Sequence, residues 1–324
     1  MRLGTRGSAL ALAQAKLVAQ MLRTRGGAGS AGPVEIVPIV TRGDRQSAAV
    51  DDTAGEPTGE GSPVEPAPSE DKSRWVSELE RALLAGEIDA AVHSAKDVPG
   101  ELAEGLVLAA APPRAAAEDV LCGAGDLHAL AADARVGTSS IRRVAQLRAA
   151  RDELEPLAMH GNVDTRLRKL ADGEFDAIVL ARAGLQRLGR EQAIDAVLDP
   201  ARFVPAPGQG TLALEVRAED GSTRAALEQI GDAGALACLL AERALAHELG
   251  ASCNTPLGAH ATLDGEQLHL RAWVGLPDGS AWIADELRGN RANPQTLGRE
   301  VAERLRSAGA GEMLERAGRM SGTA

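Results

Sequence analysis

The stretch Ala90-Ala91-Val92-His93-Ser94-Ala95-Lys96-Asp97-Val98-Pro99 ends a short apolar run with an ammonium and a carboxylate side by side. A run of this length, bounded by turn residues, reads as a buried strand. In open α/β sheets the working residues gather at the carboxyl ends of such strands. A carboxylate held there beside an ammonium can stabilise a developing cation or carry a proton, and Pro99 stiffens the turn that comes next. The bland alternative is an ordinary solvated turn. The choice between them depends on whether the rest of the chain supplies what such a carboxylate needs.

A second motif, Gly137-Thr138-Ser139-Ser140-Ile141-Arg142-Arg143, places a Ser/Thr-rich turn between a strand ending at Val136 and a helix. Free N–H groups at a helix start bind anions, and hydroxyls act there as caps or further donors. A first turn favours carboxylates over arginines, so Arg142 and Arg143 point to an external carboxylate or phosphate. The competing reading is a capped helix with two solvated arginines. The pattern recurs in Gly161-Asn162-Val163-Asp164-Thr165-Arg166, while Arg187 comes after an apolar strand over residues 177–181. Arg6 precedes the first helix, where Ser8 is a natural N-cap. A chain of net charge −11 that gathers arginines at strand ends suits a ligand bearing several carboxylates or phosphates. Neither glycine-rich nucleotide motif is present, which disfavours nucleotides.

Cys122 and Cys238 sit in apolar runs and read as inert core thiols. Cys253 lies in Leu249-Gly250-Ala251-Ser252-Cys253-Asn254-Thr255-Pro256, a small-residue loop with little to bury it, and an accessible thiol can act as a nucleophile. A loop cysteine without a role is the competing reading. The three cysteines and six histidines show no metal spacing, so no metal is expected.

These groups need a scaffold. Strand-like and helix-like segments alternate through the first two-thirds of the 324 residues, which implies βαβ units and mainly parallel sheets. Pro112-Pro113 marks a crossing into a second unit, and Ala206-Pro207-Gly208-Gln209-Gly210 a hinge leading back. A helix over residues 236–249 and a hairpin around Pro277-Asp278-Gly279 read as a small α+β unit. The expected domains are therefore 1–112 with 211–229, then 113–210, then 230–324. Residues 46–71 carry seven carboxylates, scattered prolines and no basic residue, and read as a mobile acidic loop. Aromatics make up only 2% of the chain, so the cores must be aliphatic, and this argues against a stacking platform for single-stranded nucleic acid. The acidic balance also opposes phosphate-backbone binding. No apolar run approaches a membrane span or a signal core, and a cytoplasmic setting is expected.

Arg2-Leu3-Gly4-Thr5-Arg6-Gly7-Ser8, Val40-Thr41-Arg42-Gly43-Asp44, His93 to Pro99, Gly137 to Arg143, Gly161 to Arg166, Pro207-Gly208-Gln209-Gly210 and Cys253 occur in this order. Together they resemble the porphobilinogen deaminase (hydroxymethylbilane synthase) family over nearly the whole chain. The resemblance implies two periplasmic-binding-protein-like domains joined by a double crossover, plus the C-terminal domain. It implies a monomeric transferase of tetrapyrrole and haem biosynthesis with a dipyrromethane cofactor bound through a thioether to Cys253. Four porphobilinogen units would be joined head to tail with loss of ammonia. Asp97, with Lys96, would stabilise the cationic pyrroles and handle their protons. Cofactor contacts would come from Lys72, Lys96, Asp97, Ser140, Arg142, Arg143 and Arg166. Substrate contacts would come from Arg6, Ser8, Arg142, His160, Arg166 and Arg187.

Two positions depart from the family pattern. His160 stands where an arginine is common, and a neutral imidazole is no bidentate partner for a carboxylate. Glu70-Asp71-Lys72-Ser73-Arg74-Trp75 replaces a glycine-rich segment, keeping the lysine and the aromatic residue. The rival function is a non-catalytic polycarboxylate-binding protein, or an impaired relative, on the same scaffold; Cys253 and the third unit weigh against it.

Overall fold

The computed structural model describes residues 1–25, 33–40, 73–252 and 254–320. The acidic stretch 46–71, Lys72 and Cys253, and the side chain of Trp75, lie outside the described residues.

Two five-stranded sheets and one three-stranded sheet make up the β structure among the described residues. The first sheet contains β1 (Arg2–Arg6), β2 (Glu35–Ile39), β3 (Ala90–Ser94), β4 (Leu106–Ala110) and β10 (Leu212–Arg217), in the order β2-β1-β3-β10-β4. The second contains β5 (Asp119–Cys122), β6 (Arg135–Gly137), β7 (Glu155–Leu157), β8 (Ala177–Ala181) and β9 (Ala196–Val197), in the order β7-β6-β8-β5-β9. The two patterns are the same. Three neighbouring strands run parallel, the fourth runs against them, and the fifth, antiparallel to the fourth, again runs their way.

The fourth strand in each sheet is the one laid down as the chain arrives from the other unit. It enters at the edge where the parallel strands finish, and so must run against them. The register shows this: Leu212 at the start of β10 pairs with Ser94 at the end of β3, and Asp119 at the start of β5 pairs with Ala181 at the end of β8. Both crossings thus touch the carboxyl edges of the parallel strands. The βαβ reading of the sequence describes the parallel strands of each sheet, and each crossing adds one antiparallel strand.

Helix α1 (Ala9–Arg25) covers one face of the first sheet with Ala15, Val18 and Leu22 against Leu3, Val92 and Leu214. Ser8 accepts the Ala11 N–H at 3.3 Å, serving as its N-cap. The other face is covered by α2 (Ser73–Leu84), whose Leu79 and Leu83 pack on Ile88 and Ala91. Around the second sheet run α3 (Ile141–Ala150), α4 (Val163–Ala171) and the short α5 (Arg182–Arg187), and α6 (Gly221–Glu228) comes after β10.

The remaining chain forms helix α7 (Ala233–Glu248), the antiparallel sheet β11 (Leu257–Asp264), β12 (Gln267–Gly275) and β13 (Trp282–Asn290), then α8 (Pro294–Ser307) and α9 (Ala310–Met320). Its core is aliphatic, with Ala241, Leu245, Leu270 and Val301 fully buried. Strand β11 and helices α8 and α9 extend the hairpin and single helix read from the sequence. No described helix is long and apolar enough to cross a membrane.

Candidate active site

Lys96 and Asp97 occupy a single 3-10 turn, Ala95–Asp97, directly after β3, and both are half-buried. Four of the five residues of β3 are buried, so the turn stands on a rigid base. Contacts on both sides hold it. The Ser94 hydroxyl exchanges hydrogen bonds with the buried Gln14 side chain of α1, at 2.8 and 3.2 Å. The Ala95 N–H donates to Thr211 O at 2.9 Å, and the Val98 N–H closes the turn on Ala95 O at 3.2 Å. Beneath it, His93 Nε2 lies 2.9 Å from Glu215 Oε2, with both side chains buried.

The returning crossing is pressed onto this turn. A Cβ on Gly208 would fall 2.9 Å from the Ala95 carbonyl carbon and 3.0 Å from Lys96 N, at a φ of +74°. Glycine is therefore required twice over, by space and by backbone conformation. Two residues on, Gly210 (φ +85°) brings the two crossings together, since a Cβ there would meet Ala115 O at 2.5 Å. Gly208 N–H donates to Glu242 Oε2 at 2.6 Å, and Glu242 also pairs with Arg114 of the first crossing at 2.7 Å. Glu242 has no exposed surface, and neither it nor Arg114 carries a sequence signal beyond its charge.

The second sheet contributes cations. Arg142 and Arg143, at the start of α3, are 3% and 6% exposed. They share Asp119, the first residue of β5, through Arg142 Nη2 to Oδ2 at 2.8 Å and Arg143 Nη2 to Oδ1 at 2.7 Å. Arg142 Nη1 also donates to Val204 O at 2.7 Å, and Arg143 Nη1 to Val179 O at 2.9 Å. The solvated-arginine reading of this helix start is thus corrected: both guanidiniums are buried in an ion triad. Burial alone would push the Asp119 carboxyl up, but the two guanidiniums overcome it and hold the group below its ordinary range. Burial, reinforced by Arg143, lowers Arg142. Asp119 carries no signal in the sequence, because nothing local shows that β5 will lie beside α3.

Arg166 and Arg187 differ from that pair. Arg166 Nε donates to Gly161 O at 2.8 Å and Arg187 Nη2 to Gly210 O at 2.6 Å. No carboxylate of the described residues pairs with either. Burial lowers both to about 10, with the Arg143 charge adding to the effect on Arg166. They stay charged at neutral pH with no counter-ion among the described residues. The buried Nε atoms of Arg142 and Arg187 also have no hydrogen-bond acceptor among the described residues. An edge that half-buries cations beyond the carboxylates described there fits a ligand with several carboxylates.

Other predicted positions lie around the same two edges. Arg6 is the last residue of β1, which lies parallel to β3 and ends at the same edge. Ser8, two residues on, caps α1. Ser140 is half-buried at the α3 N-cap, without a side-chain cap bond. His160 is exposed beside Gly161 (φ +108°), and Asn162 caps α4 by accepting the Thr165 N–H at 2.9 Å. The two units meet here: Gly184 of α5 lies against Leu10 of α1, with 3.8 Å from a Cβ position to Leu10 Cδ2. Cys122 and Cys238 are buried, and burial, aided by nearby carboxylates, pushes their thiols up to about 12 and about 11. Around position 253, the Ser252 N–H donates to Thr255 Oγ1 at 2.8 Å and the Asn254 N–H to Ser252 Oγ at 3.3 Å.

Residues 1–225 match the model of the family described as porphobilinogen deaminase, dipyromethane cofactor binding domain, and residues 236–307 match porphobilinogen deaminase, C-terminal domain. Porphobilinogen deaminase of Bordetella parapertussis is 43% identical over 314 residues, covering 96% of this chain and 94% of its own. Porphobilinogen deaminase of Deinococcus radiodurans is 41% identical over 315 residues, covering 96% and 97%. Among solved structures, an ABC transporter periplasmic substrate-binding protein from Coxiella burnetii overlaps 73% of this chain and 94% of its own, at 12% identity and a TM-score of 0.42. With both domain models matched in sequence order and relatives aligned over almost its full length, the chain belongs to the porphobilinogen deaminase family.

Proposed function

We propose that this chain is a hydroxymethylbilane synthase, joining four porphobilinogen units head to tail with loss of ammonia to supply tetrapyrrole biosynthesis. The observation that carries the site assignment is the pair Arg166 and Arg187, half-buried and without a carboxylate partner among the described residues, with Arg187 bonded to the crossing whose Gly208 packs on the half-buried Lys96–Asp97 turn. Those cations, and the unpartnered guanidinium nitrogens of Arg142 and Arg187, suit the carboxylates of a dipyrromethane cofactor and of porphobilinogen. Cys253 is the attachment residue in this reading, since the other two thiols are buried and raised. When bound, the dipyrromethane group supplies the pyrrole position to which the first substrate unit is joined.

The chain's own residues then divide the binding, with Arg142 and Arg166 shared. Arg6, Ser8, Arg142, His160, Arg166 and Arg187 hold the substrate, while Lys72, Lys96, Asp97, Ser140, Arg142, Arg143 and Arg166 hold the cofactor. Asp97 stabilises the positive charge that develops on a pyrrole as its aminomethyl nitrogen leaves, and takes up the proton released when the ring regains aromaticity. Lys96 beside it offers a further contact to the cofactor. The buried base of the turn fixes the carboxylate's position, which is the condition for preorganised charge stabilisation.

A monomer working in the cytoplasm without a nucleic-acid partner accords with the net charge of −11 and the low aromatic content. Intact and peptide mass spectrometry test the central assignment. Two linked pyrrole units should be found on the peptide containing Cys253, and purified protein should convert porphobilinogen to the linear tetrapyrrole. An increment on Cys122 or Cys238, or none after expression in a porphobilinogen-producing host, overturns it.

A further inference from the structure

The segment downstream of Asp97 is held by a residue from the C-terminal unit. Arg243, in α7, donates through Nη1 to Val98 O at 3.3 Å, and through Nη2 to Pro99 O at 2.8 Å and Gly100 O at 2.9 Å. Three successive carbonyls thus converge on one guanidinium. Such a planar fork can serve several acceptors at once, which a point charge on a flexible stem does less well. No carboxylate of the described residues forms an ion pair with Arg243 within bonding distance, although Glu215 beneath the turn attracts it across a longer gap. The same Glu215 holds His93, the fourth residue of β3. Further along, Glu80 of α2 accepts the Ala103 N–H at 3.2 Å. The stretch from His93 to Ala103 is therefore pinned at intervals, and Arg243 supplies the pins immediately after Asp97.

On the backbone, the 3-10 turn closes with one hydrogen bond, Val98 N–H to Ala95 O, and Val98 is buried with Ala95. Pro99 has no N–H with which to add another hydrogen bond. Helix α7 adds the tie on the downstream carbonyls, and it is also the helix that precedes Cys253 in the sequence. Its neighbouring residue, Glu242, meanwhile holds Gly208 against Ala95 and Lys96. One helical turn of the C-terminal unit thus contacts both flanks of the catalytic turn.

We propose that Arg243 is a positioning residue that fixes Asp97 relative to the C-terminal unit, so that the carboxylate keeps its aim as the product lengthens. The inference rests on the assignment of Asp97 as the catalytic carboxylate. It acts through backbone carbonyls and needs no contact between Arg243 and substrate.

The test compares full-length Arg243→Ala, Arg243→Lys and Asp97→Asn, each isolated with its dipyrromethane load verified by intact mass. Arg243→Ala should lower kcat by about tenfold or more while KM moves by less than about threefold, because misplaced catalytic groups lose transition-state stabilisation more than substrate binding. Hydrogen exchange at the Ala95 and Val98 amides should accelerate, and added guanidinium ion should restore part of kcat. Arg243→Lys should fall between wild type and Arg243→Ala; if the alanine variant does not fold, the lysine variant alone carries the test, with reduced kcat at unchanged KM as the supporting result. Wild-type kcat in a loaded Arg243 variant, or a change in KM alone, overturns the inference while an inactive Asp97→Asn leaves the site assignment standing. An active Asp97→Asn instead removes the site assignment itself.

Discussion

The two five-stranded sheets share one topology and put their parallel strands' carboxyl ends to different uses. At the first edge, β3 runs into a three-residue turn that leaves Lys96 and Asp97 half-buried, with their support coming from backbone contacts and from Gln14, Glu215 and Gly208. At the second edge, β6, β7 and β8 each lead into a helix, and arginines cluster at or near those helix starts. One of the resulting cation groups is paired with Asp119; the other, Arg166 and Arg187, has no carboxylate partner among the described residues. A half-buried turn leaves a carboxylate within reach of a ligand, whereas a helix start supplies N–H groups and dipole for anions. In the proposed reading the first edge therefore carries the reacting carboxylate and the second edge most of the cations that would bind.

The sharpest way to break this division is at the second edge. Asp119→Ala strips two buried guanidiniums of their shared partner and should lower unfolding stability by about 3–5 kcal/mol, the usual consequence of orphaning a buried charge. Urea denaturation checks it, and a change under about 1 kcal/mol would show that water or rearrangement already neutralises the triad. Asp97→Asn attacks the first edge. It keeps shape and should leave the melting temperature nearly unchanged, yet reduce kcat by roughly 10²-fold through loss of charge stabilisation. Near-normal turnover would refute the role given to that carboxylate.

Smaller effects sharpen the contrast between neutralised and open cations. Arg187→Ala and Arg166→Ala should each weaken substrate or cofactor binding by about tenfold, the scale of one lost charge-assisted pair. Because neither has a carboxylate partner among the described residues, each should cost only about 1 kcal/mol of stability, the scale of its one backbone hydrogen bond. Substrate titration combined with thermal denaturation reads both quantities. A stability loss as large as that of Asp119→Ala would mean these arginines are structural. The smallest change is expected at His160, exposed beside the α4 start: His160→Arg should leave turnover unchanged or raise it by no more than about threefold, as one extra surface cation does. A severe loss would mean that the edge is built around the imidazole.

Much of the site was legible residue by residue. Short apolar runs ending in Lys96–Asp97, in Thr138 to Arg143 and in Gly161 to Arg166 are local patterns, and alternation of strand and helix places their ends on sheet edges. The capping roles of Ser8 and Asn162 are equally a matter of local backbone chemistry. What local pattern cannot express is a partner that arrives from elsewhere in the chain. Strand β11 and the crossing strands β4, β5 and β9 are short, rich in alanine or glycine, or weakly alternating, so periodicity did not mark them.

Sequence alone determined which residue types are available and that they fall at strand ends, because hydrophobic period and turn chemistry are short-range properties. Tertiary structure alone decided which charges are already satisfied. Asp119 meets Arg142 and Arg143 only because the first crossing lays β5 beside β8. Glu242 and Arg243 reach the catalytic turn only because α7 packs across both crossings. A buried charge is costly unless paired, and pairing depends on three-dimensional neighbours far apart in the chain, so the distinction between a structural arginine and one that awaits a ligand belongs to the fold.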